Sequence, residues 1–226
     1  MTETNDMDLK QAIRKRRSIR KYTDRPIDPN VASELKSFVE ECNGKSGLRM
    51  QLILNDKKGM SGLRSLILKN ARNYLAIVGK NDGNLAELGG YWGEKVVLRA
   101  TQLGIASCWF SMGSKKDLIV IAPDEKLLMV VAMGLPATEA KARSSKPLEK
   151  LYAIRDGGEA PDWFIEGVKA ARLAPTANNG QKFLFTLTGD GRVRAESLGG
   201  AFSRTNLGIV KCHFETGASP QTFEWA

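Results

Sequence analysis

Apolar residues recur along this chain at two spacings, one typical of helices and one typical of strands. Runs at the helical spacing predict helices over Met7–Ile13, Asp28–Asn43, Leu85–Leu103, Asp162–Arg172 and Leu207–Ala218. Short apolar runs predict strands over Arg49–Asn55, Tyr74–Gly79, Leu127–Gly134, Phe183–Thr188 and Arg192–Ser197, and a strand or a loop over Ile105–Met112. Two shorter helices are expected at Ser61–Lys69 and Ser114–Asp117. The pattern therefore predicts helices and strands mixed along the whole chain.

A glycine-rich stretch, Asp156–Pro161, is the best candidate joint in the sequence. It divides the chain into a first part, 1–155, and a shorter second part, 156–226. Asp162, directly after the joint, is expected to cap the next helix because a carboxylate accepts hydrogen bonds from the first free N–H groups. The three glycines inside the Leu85–Leu103 pattern indicate either close helix packing or a bend.

Composition supports a packed core and excludes several kinds of site. The 226 residues are 42% hydrophobic and carry a net charge of +9, which favours anionic partners such as phosphates, dinucleotides or nucleic acids. The cysteines, Cys42, Cys108 and Cys212, are far apart and form no CxxC pair, so buried free thiols are expected rather than zinc or disulfides. His213 is the only histidine, and we expect it to be packed or at the surface, with no cysteine, serine or acid placed beside it for catalysis. No metal site is predicted.

The N-terminal region and the hydropathy of the chain predict where the protein works. Residues 1–10 are polar and acidic, unlike a signal peptide. No apolar run approaches the length of a membrane span, which is roughly 18 residues or more. We therefore expect a cytoplasmic protein with no membrane partner.

The densest chemistry lies in Arg14–Tyr22, which holds six cations around Ser18. In an extended chain Arg16, Ser18 and Arg20 would share one side. Two guanidinium groups and a hydroxyl on one side suit a phosphate dianion. A solvated basic segment that binds nucleic acid is the alternative interpretation. Against it, the chain has no known DNA-binding motif and no aromatic-rich platform for single strands.

Three stretches of the sequence resemble the FMN-dependent nitroreductase family. Arg16–Tyr22, followed by Pro26 and Ile27, is similar to the family's opening segment, which holds the flavin phosphate and the N1/O2 edge of the ring. Ala171–Phe183 resembles its Ala-Pro-Ser-x-x-Asn-x-Gln-Pro-Trp segment, although Lys182 replaces the proline and Phe183 the tryptophan. Gln102–Met112 resembles the Gly-x-Gly-Thr-Cys-Trp segment, which lies near flavin N5.

The resemblance implies an α+β, nitroreductase-like fold, with a central and mostly antiparallel sheet flanked by helices. It also implies FMN as cofactor, NADH or NADPH as electron donor, and a small nitro compound, quinone or enone as acceptor. The chemistry would be ping-pong hydride transfer through flavin N5, with Arg20 stabilising the reduced flavin and no catalytic side chain. A flavin-storing or flavin-sensing protein is the alternative. The implied cofactor-binding residues are Arg16, Arg17, Ser18, Arg20, Trp109, Phe110, Ser111, Arg143, Lys146, Pro175, Thr176, Ala177, Asn179 and Gln181.

The order of these motifs is unusual for that family. The Asn-x-Gln segment ordinarily follows soon after the Arg-rich one, but here it comes about 150 residues later. Asn206–Phe214 looks like a second copy of the helix around Trp92–Ala100. The resemblance thus implies an internal pseudo-duplication, in which 1–155 supplies the phosphate segment and 156–226 supplies the Asn-x-Gln loop. Such a chain would be a monomeric pseudo-dimer, or a homodimer of such chains.

Overall fold

The computed structural model describes residues 7–56, 67–111, 117–140, 144–155 and 157–226. Within them the chain forms five α-helices and seven strands. The helices are α1 (Leu9–Lys15), α2 (Pro29–Ser46), α3 (Leu85–Gln102), α4 (Asp162–Arg172) and α5 (Ser203–Ala218). The strands are β1 (Gln51–Ile53), β2 (Asn73–Lys80), β3 (Ala106–Phe110), β4 (Glu125–Gly134), β5 (Tyr152–Ile154), β6 (Phe183–Leu187) and β7 (Val193–Ser197).

A four-stranded antiparallel sheet in the order β1-β2-β4-β3 forms the centre of the first part of the chain. Its central strand β2 is buried on both faces because its side chains alternate between two apolar clusters. Leu75 and Ile77 pack with residues of α2 and α3 on one face. Tyr74 and Val78 pack on the opposite face, together with Ile19. This α+β arrangement confirms the predicted antiparallel sheet flanked by helices.

A second, three-stranded sheet has the order β5-β6-β7. β6 and β7 form the antiparallel hairpin that the sequence predicts, whereas β5 joins β6 in parallel. β5 is not predicted by the apolar pattern; it lies before the expected joint but pairs with β6, which lies after it. An aromatic cluster that includes Phe164, Phe185 and Phe214 packs beneath this sheet. Trp225 extends the cluster through an isolated bridge to Val193.

The helices α3 and α5 cross in direct backbone contact. A Cβ atom added at Gly90 would overlap the carbonyl oxygen of Thr205, and one added at Gly208 would overlap the carbonyl oxygen of Glu87. Glycine at both positions therefore lets the two helix backbones approach closely. Of the two expectations for the glycines of α3, close packing is the one observed.

Several predicted bounds shift by a few residues; α5, for example, begins at Ser203 rather than Leu207. Three further differences are informative. α2 continues to Ser46 because Gly47, with a left-handed φ of 71°, provides its C-cap. α4 has Pro161 at its N-cap, so Asp162 is its first helical residue rather than its cap. The part of the Ser61–Lys69 prediction that the structure describes is a turn bridged to Lys21, not a helix. The expected helix at Ser114–Asp117 lies almost wholly outside the described residues.

The crossing predicts that Gly208→Ala destabilises the protein. Overpacking of this kind typically costs about 1–3 kcal/mol because the helices must move apart. Gly44→Ala is the matched control, since Gly44 lies in α2 and an added Cβ would meet nothing within 4 Å. That control is expected to be neutral or to stabilise the protein by up to about 1 kcal/mol. Urea unfolding of both variants measures the difference, and equal stability would contradict the close contact.

Candidate functional site

Two adjoining cavities lie where distant parts of the chain meet. The larger has a volume of about 790 Å³ and the smaller about 260 Å³. Both are lined by Ser18 and Arg20 of the basic segment and by Pro175, Thr176 and Asn178 of the later loop. The first and second of the three motifs therefore line the same space.

The basic segment is fixed against the first sheet by its apolar residues. Ile19 and Tyr22 are buried in the core, and the Tyr22 hydroxyl donates to the carbonyl oxygen of Ile19 at 2.6 Å. The Ile19 N–H donates to the carbonyl oxygen of Ser107 at 3.0 Å, beside the bridge from Ser18 to Ser107. This anchoring leaves Ser18 and Arg20 in the cavity wall.

Arg16 differs from the other cations of the segment because it is buried. Arg16 is among the residues that line the larger cavity, as Arg17 also is, but only 3% of Arg16 is exposed. Burial lowers the pKa of Arg16, and the Glu94 carboxylate, whose oxygen lies 3.8 Å from Arg16 Nε, opposes that shift. Arg16, Ser18 and Arg20 are all among the residues that line the larger cavity.

The later loop departs from ordinary backbone geometry at three positions. Asn178 and Asn179 have φ of 53°, and Gln181 has φ of 45°. Positive φ is uncommon outside glycine, and such strained residues cluster at functional sites as well as in turns. Of the predicted residues here, Pro175 and Thr176 line both cavities, Asn179 lines the larger and Ala177 the smaller.

Gln181 is predicted to contact the cofactor, but the structure places it under the loop. It is 1% exposed and is not among the residues that line either cavity. Its Oε1 accepts from the Lys146 N–H at 2.6 Å, and its Nε2 donates to the carbonyl oxygen of Arg172 at 2.8 Å. The backbone N–H of Gln181 donates to Thr176 Oγ1 at 3.0 Å. Its bonds therefore hold the loop in shape.

Lys146 is part of the same support. Its Nζ donates to the carbonyl oxygen of Gln181 at 2.9 Å, and Lys146 also lies outside both cavity linings. Lys146 is predicted to contact the phosphate, but the contacts observed for it are with Gln181 of the loop. Asn179 Nδ2 donates to the carbonyl oxygen of Ser144 at 2.7 Å, which adds a second tie between the same two segments. Arg143 lies outside the described residues.

The wall of the smaller cavity is the end of β3. Trp109, Phe110 and Ser111, which the family resemblance implies as flavin contacts, line it together with Cys108. Gly93 leaves room for the Trp109 ring, since a Cβ there would lie 2.8 Å from it. Burial raises the pKa of the Cys108 thiol, which makes it a poor nucleophile. All three cysteines are buried and free, as expected.

Sequence reasoning missed the contribution of α5 to this cavity. Ala201, Phe202, Thr205, Asn206 and Ile209 also line the smaller cavity. Phe202 is 46% exposed and has a left-handed φ of 56°, which is unusual for a bulky residue. The Asn206 side chain accepts from the Ala177 N–H at 3.1 Å and so joins α5 to the loop. The repeat of the helix pattern was visible in the sequence, but its contact with the loop was not.

His213 is packed, as expected, and it also contacts an acid that the sequence did not place beside it. His213 is fully buried, and its Nε2 lies 2.8 Å from Oε1 of Glu94, which is also fully buried. An acid partner therefore exists, on α3 rather than near His213 in sequence. Among the described residues there is no group of three or more His, Cys, Asp or Glu side chains that could hold a metal ion. None of the helices in the described ranges has both the length and the apolar character to cross a membrane.

Known proteins share this architecture. The model of a family described as "Putative TM nitroreductase" matches residues 8–218. The structure is similar to a Thermotoga maritima MSB8 protein of the same description, with 20% identity over 94% of this chain and 84% of that chain and a TM-score of 0.68. A search of curated proteins finds no match.

Two further structures match a smaller part of the chain. One, from Desulfovibrio desulfuricans, is described as a nitroreductase in complex with FMN; it shares 19% identity over 63% of this chain and 93% of that chain, with a TM-score of 0.52. The other, an NADH dehydrogenase/NAD(P)H nitroreductase by its description, is from Parabacteroides distasonis; it shares 16% identity over 63% and 95%, with a TM-score of 0.51. At such identities these likenesses show the fold. Because the family model covers nearly the whole chain, the protein belongs to this nitroreductase family.

Proposed function

We propose that this protein is an FMN-dependent oxidoreductase that passes electrons from NADH or NADPH to a small organic acceptor. The observation that carries the proposal is that the basic segment and the loop of 175–179 line one space, although about 150 residues separate them in sequence. Membership of the nitroreductase family supports an oxidoreductase. A structurally similar protein described as an FMN complex supports the choice of cofactor.

The residues that line the cavities fit FMN by their chemistry. Arg17 and Ser18, with the buried Arg16, would hold the phosphate, since guanidinium and hydroxyl groups are good donors to a dianion. Arg20 lines both cavities, so it would reach the polar N1/O2 edge of the ring. We retain Arg143 as a proposed phosphate contact, and assign Lys146 and Gln181 the task of holding the loop.

The remaining wall residues suit a flat ring. Trp109, Phe110 and Ser111 would cover one side. The loop formed by Pro175, Thr176, Ala177 and Asn179 would cover the other side. Small residues and proline in that loop let the backbone approach a ring closely.

When bound, FMN supplies the redox chemistry, accepting hydride from the nicotinamide at N5 and passing it from N5 to the acceptor. The chain binds and orients both substrates in turn at the same face, which gives a ping-pong cycle. Arg20 supplies positive charge near the ring edge where reduction adds negative charge. This scheme requires no side-chain acid or base, and it suits a nitro compound, quinone or enone as acceptor.

We also propose that the chain is an internal pseudo-dimer, divided into 1–155 and 156–226. The order helix-strand-strand-helix occurs twice, as α2-β1-β2-α3 and as α4-β6-β7-α5. Gly90 contacts Thr205, which lies three residues before Gly208, and Gly208 contacts Glu87, which lies three residues before Gly90. Such reciprocal contact is the property of a two-fold axis. One chain would then hold one complete flavin site without a partner chain.

The pairing of Gly90 with Gly208 also locates the counterpart of the flavin site in the other half of the chain. Counted from these two glycines, Glu87, Leu88 and Tyr91 are the equivalents of Thr205, Asn206 and Ile209. They line a separate cavity of about 390 Å³. Among the described residues that line it, Lys211 is the one cation, and it already pairs with Glu87 at 2.6 Å. This cavity lacks the charge that a flavin phosphate needs, so we expect one flavin per chain.

The function is tested by a visible spectrum of the purified protein with added FMN, before and after NADH or NADPH. The proposed activity requires that the bound flavin absorbance bleaches within the time of mixing and returns when a quinone or nitro compound is added. Bound flavin that stays oxidised with both nucleotides would instead indicate storage or sensing. Free FMN in the same buffer is the control.

FMN should bind more tightly than riboflavin. Charge-assisted hydrogen bonds contribute about 1.5–3 kcal/mol each, so losing the phosphate should weaken binding by at least about tenfold. Calorimetric titration measures both affinities and gives the ratio of flavin to chain. Equal affinities would contradict the phosphate assignment, and two flavins per chain would contradict the single site.

Arg20→Ala should lower the midpoint potential of bound flavin and slow turnover, because the lost charge favours the reduced state. If Arg20 favours that state by about 1.4 kcal/mol, the potential falls by about 30 mV. Arg14→Ala is the matched control, since it removes the same charge from the same segment at an exposed position outside both cavity linings. An identical potential in the two variants would place Arg20 away from the ring edge.

A further inference from the structure

A buried polar cluster lies behind the cavity wall and is centred on Glu94. Its Oε2 accepts from the indole Nε1 of Trp109 at 2.7 Å. Its Oε1 lies 2.8 Å from His213 Nε2 and 3.8 Å from Arg16 Nε. Glu94 and His213 are both 0% exposed. One carboxyl group of α3 thus contacts nitrogen atoms of three side chains, which come from the basic segment, from β3 and from α5.

The geometry fixes the hydrogens on His213. Its Nδ1 lies 3.1 Å from the carbonyl oxygen of Ala170, which can only accept, so Nδ1 carries the hydrogen of that bond. The contact between Nε2 and Glu94 is then a hydrogen bond only if a second proton lies between them. We place that proton on Nε2, because the other oxygen of the same carboxyl group already accepts from the Trp109 indole and the Arg16 guanidinium lies nearby.

Two partners of Glu94 belong to the wall of the candidate site. Trp109 lines the smaller cavity and Arg16 lines the larger one, whereas Glu94 and His213 are in neither lining. Without Glu94 the partly buried indole N–H would lose its acceptor, and Arg16 would lose a nearby opposite charge. A buried polar group without a partner is costly, so either side chain would be expected to move.

We propose that Glu94 and His213 are positioning residues of the cofactor site. Glu94 holds Trp109 and Arg16 in the cavity wall, and His213, from the second part of the chain, holds Glu94 through a charged hydrogen bond. The consequence for FMN affinity rests on the proposed function, but the positioning itself does not. The second part of the chain would thereby shape the wall that the first part supplies.

The test uses the full chain and three variants: Glu94→Ala, Glu94→Gln and Glu215→Ala. The last is a matched control because Glu215 accepts from the Trp225 indole at 2.9 Å, in a similar pair away from the candidate site. Hydrogen exchange of the indole N–H groups is read by NMR on the cofactor-free chain. Glu94→Ala should expose the Trp109 signal, identified with Trp109→Phe, whereas Glu215→Ala should expose that of Trp225. FMN affinity should fall on the order of tenfold in Glu94→Ala alone.

His213 is the only histidine, so its ring nitrogens give unambiguous ¹⁵N signals. Both should be protonated in the wild-type chain. In Glu94→Gln the side-chain amide can still accept from Trp109 while it donates to His213, so the Nε2 atom of His213 should lose its proton and become an acceptor. Because Trp109 keeps its partner, FMN affinity should stay within about threefold of wild type. This conservative variant decides the matter if Glu94→Ala does not fold.

Three outcomes would overturn the proposal. The first is an unprotonated Nδ1 of His213 in the wild-type chain. The second is a Trp109 indole that stays protected in folded Glu94→Ala, and the third is a loss of FMN affinity in Glu215→Ala equal to that in Glu94→Ala. The indole and imidazole signals need no cofactor. A wild-type chain that binds no FMN would therefore refute the proposed function and leave the positioning role to be decided by those signals.

Discussion

The backbone contact between α3 and α5 is the constraint on which the rest of the molecule depends. Because Gly90 and Gly208 carry no side chains, the two helices cross without a layer of side chains between their backbones. The positions that follow each glycine are then forced together, which brings His213 to within 2.8 Å of Glu94. The positions that precede Gly208 are carried to the cavity, where Thr205 and Asn206 complete its lining. If the helices crossed at a greater distance, His213 would lie farther from Glu94, and Thr205 and Asn206 would lie farther from the cavity.

The cations of the basic segment have fixed positions because apolar residues lie between and after them and anchor the chain. Ile19 and Tyr22 are buried against the first sheet, so the chain cannot lift away as a solvated arm. The charged residues between and before them are thereby held at fixed positions, with Arg16 turned inward and Arg20 exposed. This mixture distinguishes the segment from a simple basic tail, in which repulsion between cations would favour an open, mobile chain.

The sequence predicted most helices and strands because their apolar periods are local properties of the chain. It placed α3 and the β6-β7 hairpin nearly at their observed bounds, whereas three-residue β5 has too short a pattern to recognise. The side-chain pairing of Glu94 with His213 spans 119 positions and depends on the helix crossing, so local pattern could not give it. Likewise, Gln181 was correctly seen as part of the loop, but its direction depends on the distant backbone of Lys146.

The loop of 175–181 shows how strain and support are combined at a site. Asparagine tolerates the left-handed region comparatively well, so Asn178 and Asn179 need little help to hold positive φ. Gln181 gains no such local benefit, and it is this residue whose side chain and backbone are bonded to Lys146, Arg172 and Thr176. The support is thus concentrated where the backbone is least favourable. Since all of these partners belong to the protein, the contacts that hold the shape of the loop do not depend on a ligand, which is the condition for a preorganised site.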